Sequence, residues 1–277
     1  MKIGRFSDGQ PFWGVVDLGA GSVTPLPGKL AEWAPALTAD PQSAPAFAGT
    51  ARDLEGLRLL APADETSKVI AAGGTYAKHI AGLGLQMPKQ PAAFIKPVQS
   101  LVGPEDEISY PAITEQLDYE GELVVVVGAA DLDRAHPLAS VLGYTVGNEV
   151  SARDLQFGGS VTGMDVFSGK ALDRTSPVGP WIVTREELGD GSPDLALTVT
   201  VDGEVRQRDR TGSLVWGVDE LLSWVDARSS LHGGDLLFTG TPAGVGHEDG
   251  RYLQPGQVVT VEIERIGTLT NTVGSRP

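Results

Sequence analysis

The chain of 277 residues has no cysteine. That removes disulfides, thiolate-bound zinc and a cysteine nucleophile in one step. It also agrees with a reducing, cytoplasmic setting, which is the expected location. Basic residues are scarce: 21 Lys and Arg stand against 36 Asp and Glu, giving a net charge of −15 and a pI near 4.6. Nucleic acids and anionic membranes bind through basic patches, so neither is expected as a partner. An anionic small molecule remains open, because a metal ion or a few local cations can reverse the field. There are only four histidines, with no pair at ligand spacing, which argues against a histidine-based metal site. Long apolar runs are missing too. The most apolar stretch, 123–127, is far too short to cross a bilayer, and residues 1–16 lack the basic-then-apolar order of a secretory signal.

What is present is turn-rich and strand-rich. Hydrophobic residues make up 41% and charged residues 21%, enough for a sizeable core and unlike a disordered chain. With 36 Gly and 19 Pro, the texture is predominantly β with a few helices, an α+β chain. Residues 1–60 differ from the rest. They open with a hairpin turning at Asp8-Gly9, followed by an Ala- and Pro-rich stretch, 31–49, with modest helical content. This segment is read as a small N-terminal α/β domain, with 57–64 as a linker and 61–277 as the catalytic domain. Strands are expected at 69–72, 123–127 and 142–146. The 123–127 run is nearly all β-branched, as for a strand buried on both faces. Residues 195–201 alternate and turn at Asp202-Gly203, a hairpin signal. A last hairpin turns at Ile266-Gly267. Val218, Leu221, Leu222 and Val225 have the spacing of an amphipathic helix. There is no internal repeat.

The stretch LDYEGELVVVV carries the first chemistry. Glu120 and Glu122 are two apart, so in a strand they share a face, beside the most apolar run of the chain. Two like charges there are unfavourable unless a cation neutralises them. Mg²⁺ and Mn²⁺ prefer oxygen ligands and suit the role. The spacing alone is weak, and a solvated edge or pairing with Lys or Arg explains it as well. A third acid, Glu149, follows Asn148 at the end of the next strand. Arg153 and Gln156 come just after, residue types suited to an anionic, oxygen-rich ligand. Asp154 reads as a local ion pair or helix start. GTPAGVG lacks the Lys-Ser/Thr ending of a phosphate loop and reads as a tight turn after a strand. His136, His232 and His247 read as loop histidines.

Taken in order, LDYEGELVVVVG, GYTVGNEVSARDLQ, SGKALDRTSPVGPWIVT, GDLLFTGTPAGVG and VEIERIGTLTNTVG resemble the motif series of the fumarylacetoacetate hydrolase family. VIAAGGTYAKHIAGLG and FIKPVQSLVGPEDEI resemble its earlier motifs. The resemblance covers about residues 68–274, and residues 1–60 resemble the small N-terminal domain of many members. It implies a mixed β-sandwich roll and a homodimer. It implies Mg²⁺ or Mn²⁺ held by Glu120, Glu122 and Glu149. Lys170 would then lie at the substrate and stabilise negative charge. Arg153 and Gln156 would contact the substrate carboxylate and carbonyl, Thr241 would line the pocket, and His79 would be the general base that activates water. The family acts on small 2-oxo acids, through an enolate formed when a C–C or C–H bond breaks.

Three departures bear on the reaction. The third metal ligand, usually Asp, is Glu149, whose extra methylene shifts the ion or its coordination. Hydrolytic members often carry Glu three residues after the His, where this chain has Gly82. The usual Asn shortly before the His is Thr75. Either another acid orients His79, or His79 does not activate water. The segment 79–89, with Gly82 and Gly84, reads as a flexible lid. Three readings follow: a hydrolase cleaving a C–C bond of an acylpyruvate-like acid; a decarboxylase, tautomerase or isomerase of an oxaloacetate-type acid using the same metal site; and a non-catalytic binding protein that retains the fold.

Overall fold

Seven buried residues in a row, Gly121–Val127, form the strand around which the fold is built. In the computed structural model, which describes residues 1–41, 46–161 and 163–277, this strand lies inside a twelve-stranded sheet. Successive side chains leave a strand on opposite faces, and here both faces are covered. Leu123, Val125 and Val127 join the largest apolar cluster, with Val199, Val261 and Leu222. Val126 packs with Trp13, Leu30 and Trp33 from the N-terminal region, and Val124 with Val69 and Phe238. That double burial is why the run is continuously apolar and does not alternate.

The central strand is flanked antiparallel by Val141–Asn148 and Leu236–Phe238. Leu236–Phe238 pairs in parallel with Val69–Gly73, which pairs antiparallel with the edge strand Ala92–Lys96. In the other direction Val141–Asn148 leads to Ser176–Thr184 and then to Lys2–Ser7. A second sheet has four strands, Glu204–Arg210, Ala196–Val201, Val258–Ile263 and Gly267–Thr272. Its inner face, including Leu197, Val199 and Val261, packs into the same core. The helix Val218–Asp226 buries Val218, Leu221, Leu222 and Val225, the spaced positions of its sequence. With a two-stranded sheet of Leu117–Asp118 and Ser151–Ala152 beside these, the chain is a predominantly β, mixed β roll with short helices.

The three expected hairpins are present, at 8–10, 202–203 and 264–266. Asp202 and Gly203 both take positive φ, 51° and 81°, the geometry a two-residue turn needs to follow strand twist. The expected helical content of 31–49 is the helix Leu30–Ala39; residues 42–45 of that stretch lie outside the described residues. The stretch read as a linker differs from expectation. Within 57–64, Arg58–Leu60 is a strand paired with Lys2–Ser7. Leu57 and Leu59 pack against Phe6, Val16 and Val23, so apolar burial holds the segment in place. Strands from residues 1–60 are hydrogen-bonded into the main sheet through Lys2–Ser7 against Ser176–Thr184.

One register decides the site. Gly121 stands opposite Asn148 across the central antiparallel pair. Glu120 and Glu122 at the start of one strand therefore meet Glu149 at the end of its neighbour.

Candidate functional site

The carboxylates of Glu120, Glu122 and Glu149 converge, each offering an oxygen within 4.8 Å of the others, and all three residues are buried. The backbone locks them together. The Glu149 N–H donates to the Glu120 carbonyl (2.8 Å), and the Glu120 N–H donates to Asn148 Oδ1 (2.9 Å). Glu122 Oε2 accepts from the Gly240 N–H at 2.7 Å. Gly240 has φ 95°, and a side chain there would collide with the Thr75 hydroxyl. Thr75, standing where the family pattern has Asn, donates its hydroxyl to the Thr239 carbonyl (2.7 Å) and so fixes the strand end that presents Gly240.

Three buried cations face these acids. The Lys170 ammonium, at the end of the helix Val166–Lys170, donates to Glu120 Oε2 at 2.9 Å and also to Glu149 Oε2. Lys96 Nζ donates to Glu149 Oε1 at 2.5 Å and to the Lys170 carbonyl. Arg153 donates through Nε to Asp118 Oδ2 (2.8 Å), through one terminal nitrogen to Gln156 Oε1 (2.9 Å) and through the other to Glu120. Those bonds use three of the five guanidinium N–H groups and leave two for a ligand. Arg153 is thus tied to Asp118 and Glu120 and not to its neighbour Asp154. Asp154 instead accepts from Thr114 Oγ1 and from the Glu115 N–H (2.8 Å).

The electrostatics are uneven. Burial opposes charge on Glu120, yet Lys170 and Arg153 outweigh it and hold that carboxyl well below the ordinary range. Burial pushes Glu122 well above its ordinary value, and the charges of Glu120 and Glu149 push the same way. Burial also raises Glu149 against the pull of Lys170 and Lys96. Burial works against the charge of Lys170, but Glu120 and Glu149 more than offset it and raise its value. Among the described residues Glu122 is thus a buried carboxylate between two others, accepting from a backbone amide and not from a cation. Such a group needs positive charge close by. The donor set, three carboxylates converging on one point, fits a hard divalent ion.

His79 lies in the short helix Ala77–Gly82 and is buried. Its Nδ1 is 2.9 Å from Glu248 Oε1. The other Glu248 oxygen accepts from the Gly244 N–H at 3.0 Å. A Cβ at Gly82 would stand 2.9 Å from the Glu248 carboxylate. Glu248, from the helix Gly246–Asp249, therefore fills the space where the family pattern places its acid. Of the two outcomes left open at Gly82, the structure shows the first: another acid reaches the imidazole.

His79, Glu120, Glu122, Glu149, Arg153, Gln156, Lys170 and Thr241, all the residues singled out from the sequence, line one cavity of about 440 Å³. Thr241 Oγ1 donates to the Gly121 carbonyl (3.1 Å) and accepts from Gln207 Nε2 (2.9 Å), so it braces the central strand. Three members of the network were not singled out. Lys96 follows Phe94 and Ile95 at the end of a strand, and a fully buried lysine there breaks the local pattern, which was the available signal. Asp118, two before Glu120, accepts from Arg153 Nε and from the Gly246 and His247 backbone N–H groups. Glu248 gave no local signal. His247, read as a loop histidine, lies in that same helix and stacks on Phe157 with ring centroids 5.1 Å apart.

This fold and this acid cluster define a class, and comparison with known proteins identifies it. Residues 68–274 match the family described as fumarylacetoacetate (FAA) hydrolase C-terminal, and residues 1–62 match Rv2993c-like, N-terminal. Protein Rv2993c of Mycobacterium tuberculosis is 39% identical over 283 residues, 99% of this chain and 98% of that protein. The mitochondrial oxaloacetate tautomerase FAHD2A of Bos taurus is 36% identical over 219 residues, 78% of this chain and 69% of that one. Among solved structures, fumarylpyruvate hydrolase from Pseudomonas aeruginosa in complex with Mn²⁺ and pyruvate is 33% identical, with a TM-score of 0.68 over 75% of this chain and 89% of that one. The chain belongs to the fumarylacetoacetate hydrolase family. It is an enzyme of that family, whose members are hydrolases, tautomerases and isomerases.

Proposed function

We propose that this enzyme is a divalent-metal-dependent hydrolase that cleaves a C–C bond in an acylpyruvate-like 2-oxo acid. The observation that carries the reading is the bond between buried His79, on the wall of the cavity that holds the three acids, and half-buried Glu248 behind it. A carboxylate on Nδ1 fixes the imidazole tautomer with Nε2 free to accept a proton. Decarboxylation has no need of such a pair; water attack does.

Mg²⁺ or Mn²⁺ on Glu120, Glu122 and Glu149 would supply a Lewis acid for the 2-oxo group and offset enolate charge. The remaining roles fall to the chain. The two uncommitted Arg153 N–H groups and the Gln156 amide bind the carboxylate end. His79 takes a proton from water, whose oxygen adds to the C4 carbonyl. The C3–C4 bond breaks, and its electron pair stays on C3 as the enolate of pyruvate, with the Lys170 ammonium beside the developing charge. Protonation of C3 gives pyruvate, and the acyl group leaves as a carboxylate. The balance is one acylpyruvate and one water to one pyruvate and one carboxylic acid. The 36% identity to a protein named oxaloacetate tautomerase favours a second reading: proton transfer or decarboxylation at C3 of an oxaloacetate-type acid, with the same acids and Lys170 but no activated water.

The test is turnover of acetylpyruvate, fumarylpyruvate and oxaloacetate by metal-stripped enzyme restored with Mg²⁺ or Mn²⁺. Loss of diketo absorbance that needs metal and disappears in both Glu122→Ala and His79→Ala is the expected result. Turnover of oxaloacetate alone, surviving in His79→Ala, would replace it with the second reading.

A further inference from the structure

The charged side chains of the cavity are gathered on its floor, and Gln86 adds one amide to a wall that is otherwise mostly apolar. The floor holds the acids, Arg153 and Lys170, while the wall is built of Ile80, Leu83, Leu85, Phe94, Phe157 and Val166. Among the described residues that line it, Arg153 and Lys170 are the only Lys or Arg. Lys170 is held by the floor acids, and the two Arg153 N–H groups left over are taken by the head carboxylate in the reading above. Lys89, from the segment beyond the cavity rim, lines a different cleft with Trp216 and Trp224. The apolar character continues to the mouth, where Leu85 is 58% and Phe157 40% exposed.

A ligand whose 2-oxo acid head sits on the floor must project its other end along this wall. A second carboxylate there would gain no cation, and at most the single Gln86 amide, for the water it loses, which is unfavourable. The field of a chain with net charge −15 adds to that cost. A hydrocarbon tail gains from the same wall, because each buried methylene strengthens binding about fourfold.

We infer that the substrate is a monocarboxylic 2-oxo acid with an uncharged hydrocarbon tail of several carbons, an alkyl- or aryl-acylpyruvate and not a dicarboxylate. This rests on the metal–2-oxo acid reading above, and it parts this enzyme from relatives whose names carry two carboxylates, such as fumarylpyruvate hydrolase.

The test uses stable ligands on full-length, Mn²⁺-loaded enzyme, read by calorimetry. Pyruvate is the head-group control. 2-Oxohexanoate and 2-oxooctanoate are compared with 2-oxoadipate and 2-oxosuberate, the same lengths ending in carboxylate. The expected result is that Kd falls severalfold or more from the six- to the eight-carbon alkyl acid, and that each dicarboxylate binds at least tenfold more weakly than its alkyl partner. Leu83→Arg, on the wall and outside the floor network, should narrow or reverse that gap. Dicarboxylates binding as well as or better than their alkyl partners in the wild type would overturn the inference and leave the metal–2-oxo acid reading intact. Failure of pyruvate and of every longer acid to bind would overturn both.

Discussion

His79 and Glu248 are 169 positions apart in sequence and 2.9 Å apart in space. Glu248→Gln keeps a side chain of the same shape but removes the charge that, in the proposed hydrolysis, stabilises the imidazolium formed when water is deprotonated. A positioned general base is worth about 10²- to 10⁴-fold. Both Glu248→Gln and His79→Ala are expected to lower kcat within that range while leaving the Kd for pyruvate near wild type. The double variant should be little worse than His79→Ala, because the two act as one unit. Independent, multiplicative losses in steady-state kinetics would show that Glu248 acts elsewhere. Gly82 allows a sharper version. Gly82→Glu alone forces a carboxylate onto that of Glu248, whereas Gly82→Glu with Glu248→Ala restores an acid from the other side and should recover part of the activity. The converging acids were legible in sequence because Glu120 and Glu122 are local to an apolar strand. Glu248 was not, because its partnership exists only once the loop after Leu236–Phe238 has folded back over the helix Ala77–Gly82. Lys96 lay between, visible as a lysine at the end of an apolar strand but with a partner, Glu149, that only strand register supplies.

Elements were easier to read than their connections. The central strand, the three hairpins and the helix Val218–Asp226 each announce themselves through periodicity or turn residues, which are properties of a few adjacent positions. The stretch 57–64 has no such signal, and its strand Arg58–Leu60 exists because Lys2–Ser7 offers an edge and Phe6 and Val23 offer an apolar seat. The end of the helix Val218–Asp226 shows what holds a connection in place. The buried Asp226 accepts from the Leu231 N–H (3.0 Å) and from Arg134 Nε (2.9 Å). Burial opposes its charge, but the Leu231 and Arg134 bonds outweigh burial and depress its pKa. A depressed folded-state value stabilises above the unfolded carboxyl value of about 3.9 and loses that contribution as pH falls through the folded value. Asp226→Asn keeps an acceptor for Leu231 and loses the charge. Since Arg134 is mostly exposed, the expected cost near pH 7 is on the order of 1 kcal/mol. Urea unfolding at neutral pH and again near pH 3 should show the difference between variant and wild type closing in acid. A difference that stays constant with pH would mean that shape and not charge sets the role of Asp226.

At the scale of the whole molecule, the fold brings four buried carboxylates and three buried cations to one point in a chain that is already strongly negative. Metal-free, the fold carries Glu122 between two like charges in a buried site, and its raised pKa reports that cost. An ion that binds the native arrangement and not the unfolded chain stabilises by mass action, about 2.7 kcal/mol at a hundredfold excess over its Kd. Mn²⁺ or Mg²⁺ should therefore raise Tm by several degrees in wild type, with no substrate present. Glu122→Gln removes a buried negative charge and keeps an acceptor for the Gly240 N–H. Its metal-free Tm should equal or exceed that of the wild type, and the rise on adding Mn²⁺ should shrink sharply. A wild-type Tm indifferent to millimolar Mn²⁺ and Mg²⁺ would remove the ion from the site whatever the kinetics showed. A metal-free Glu122→Gln protein less stable than wild type would place the worth of Glu122 in its bond to Gly240 and not in holding a cation. The measurement separates the two uses of one carboxylate, because the metal-induced shift and the metal-free Tm respond to different partners of the same side chain.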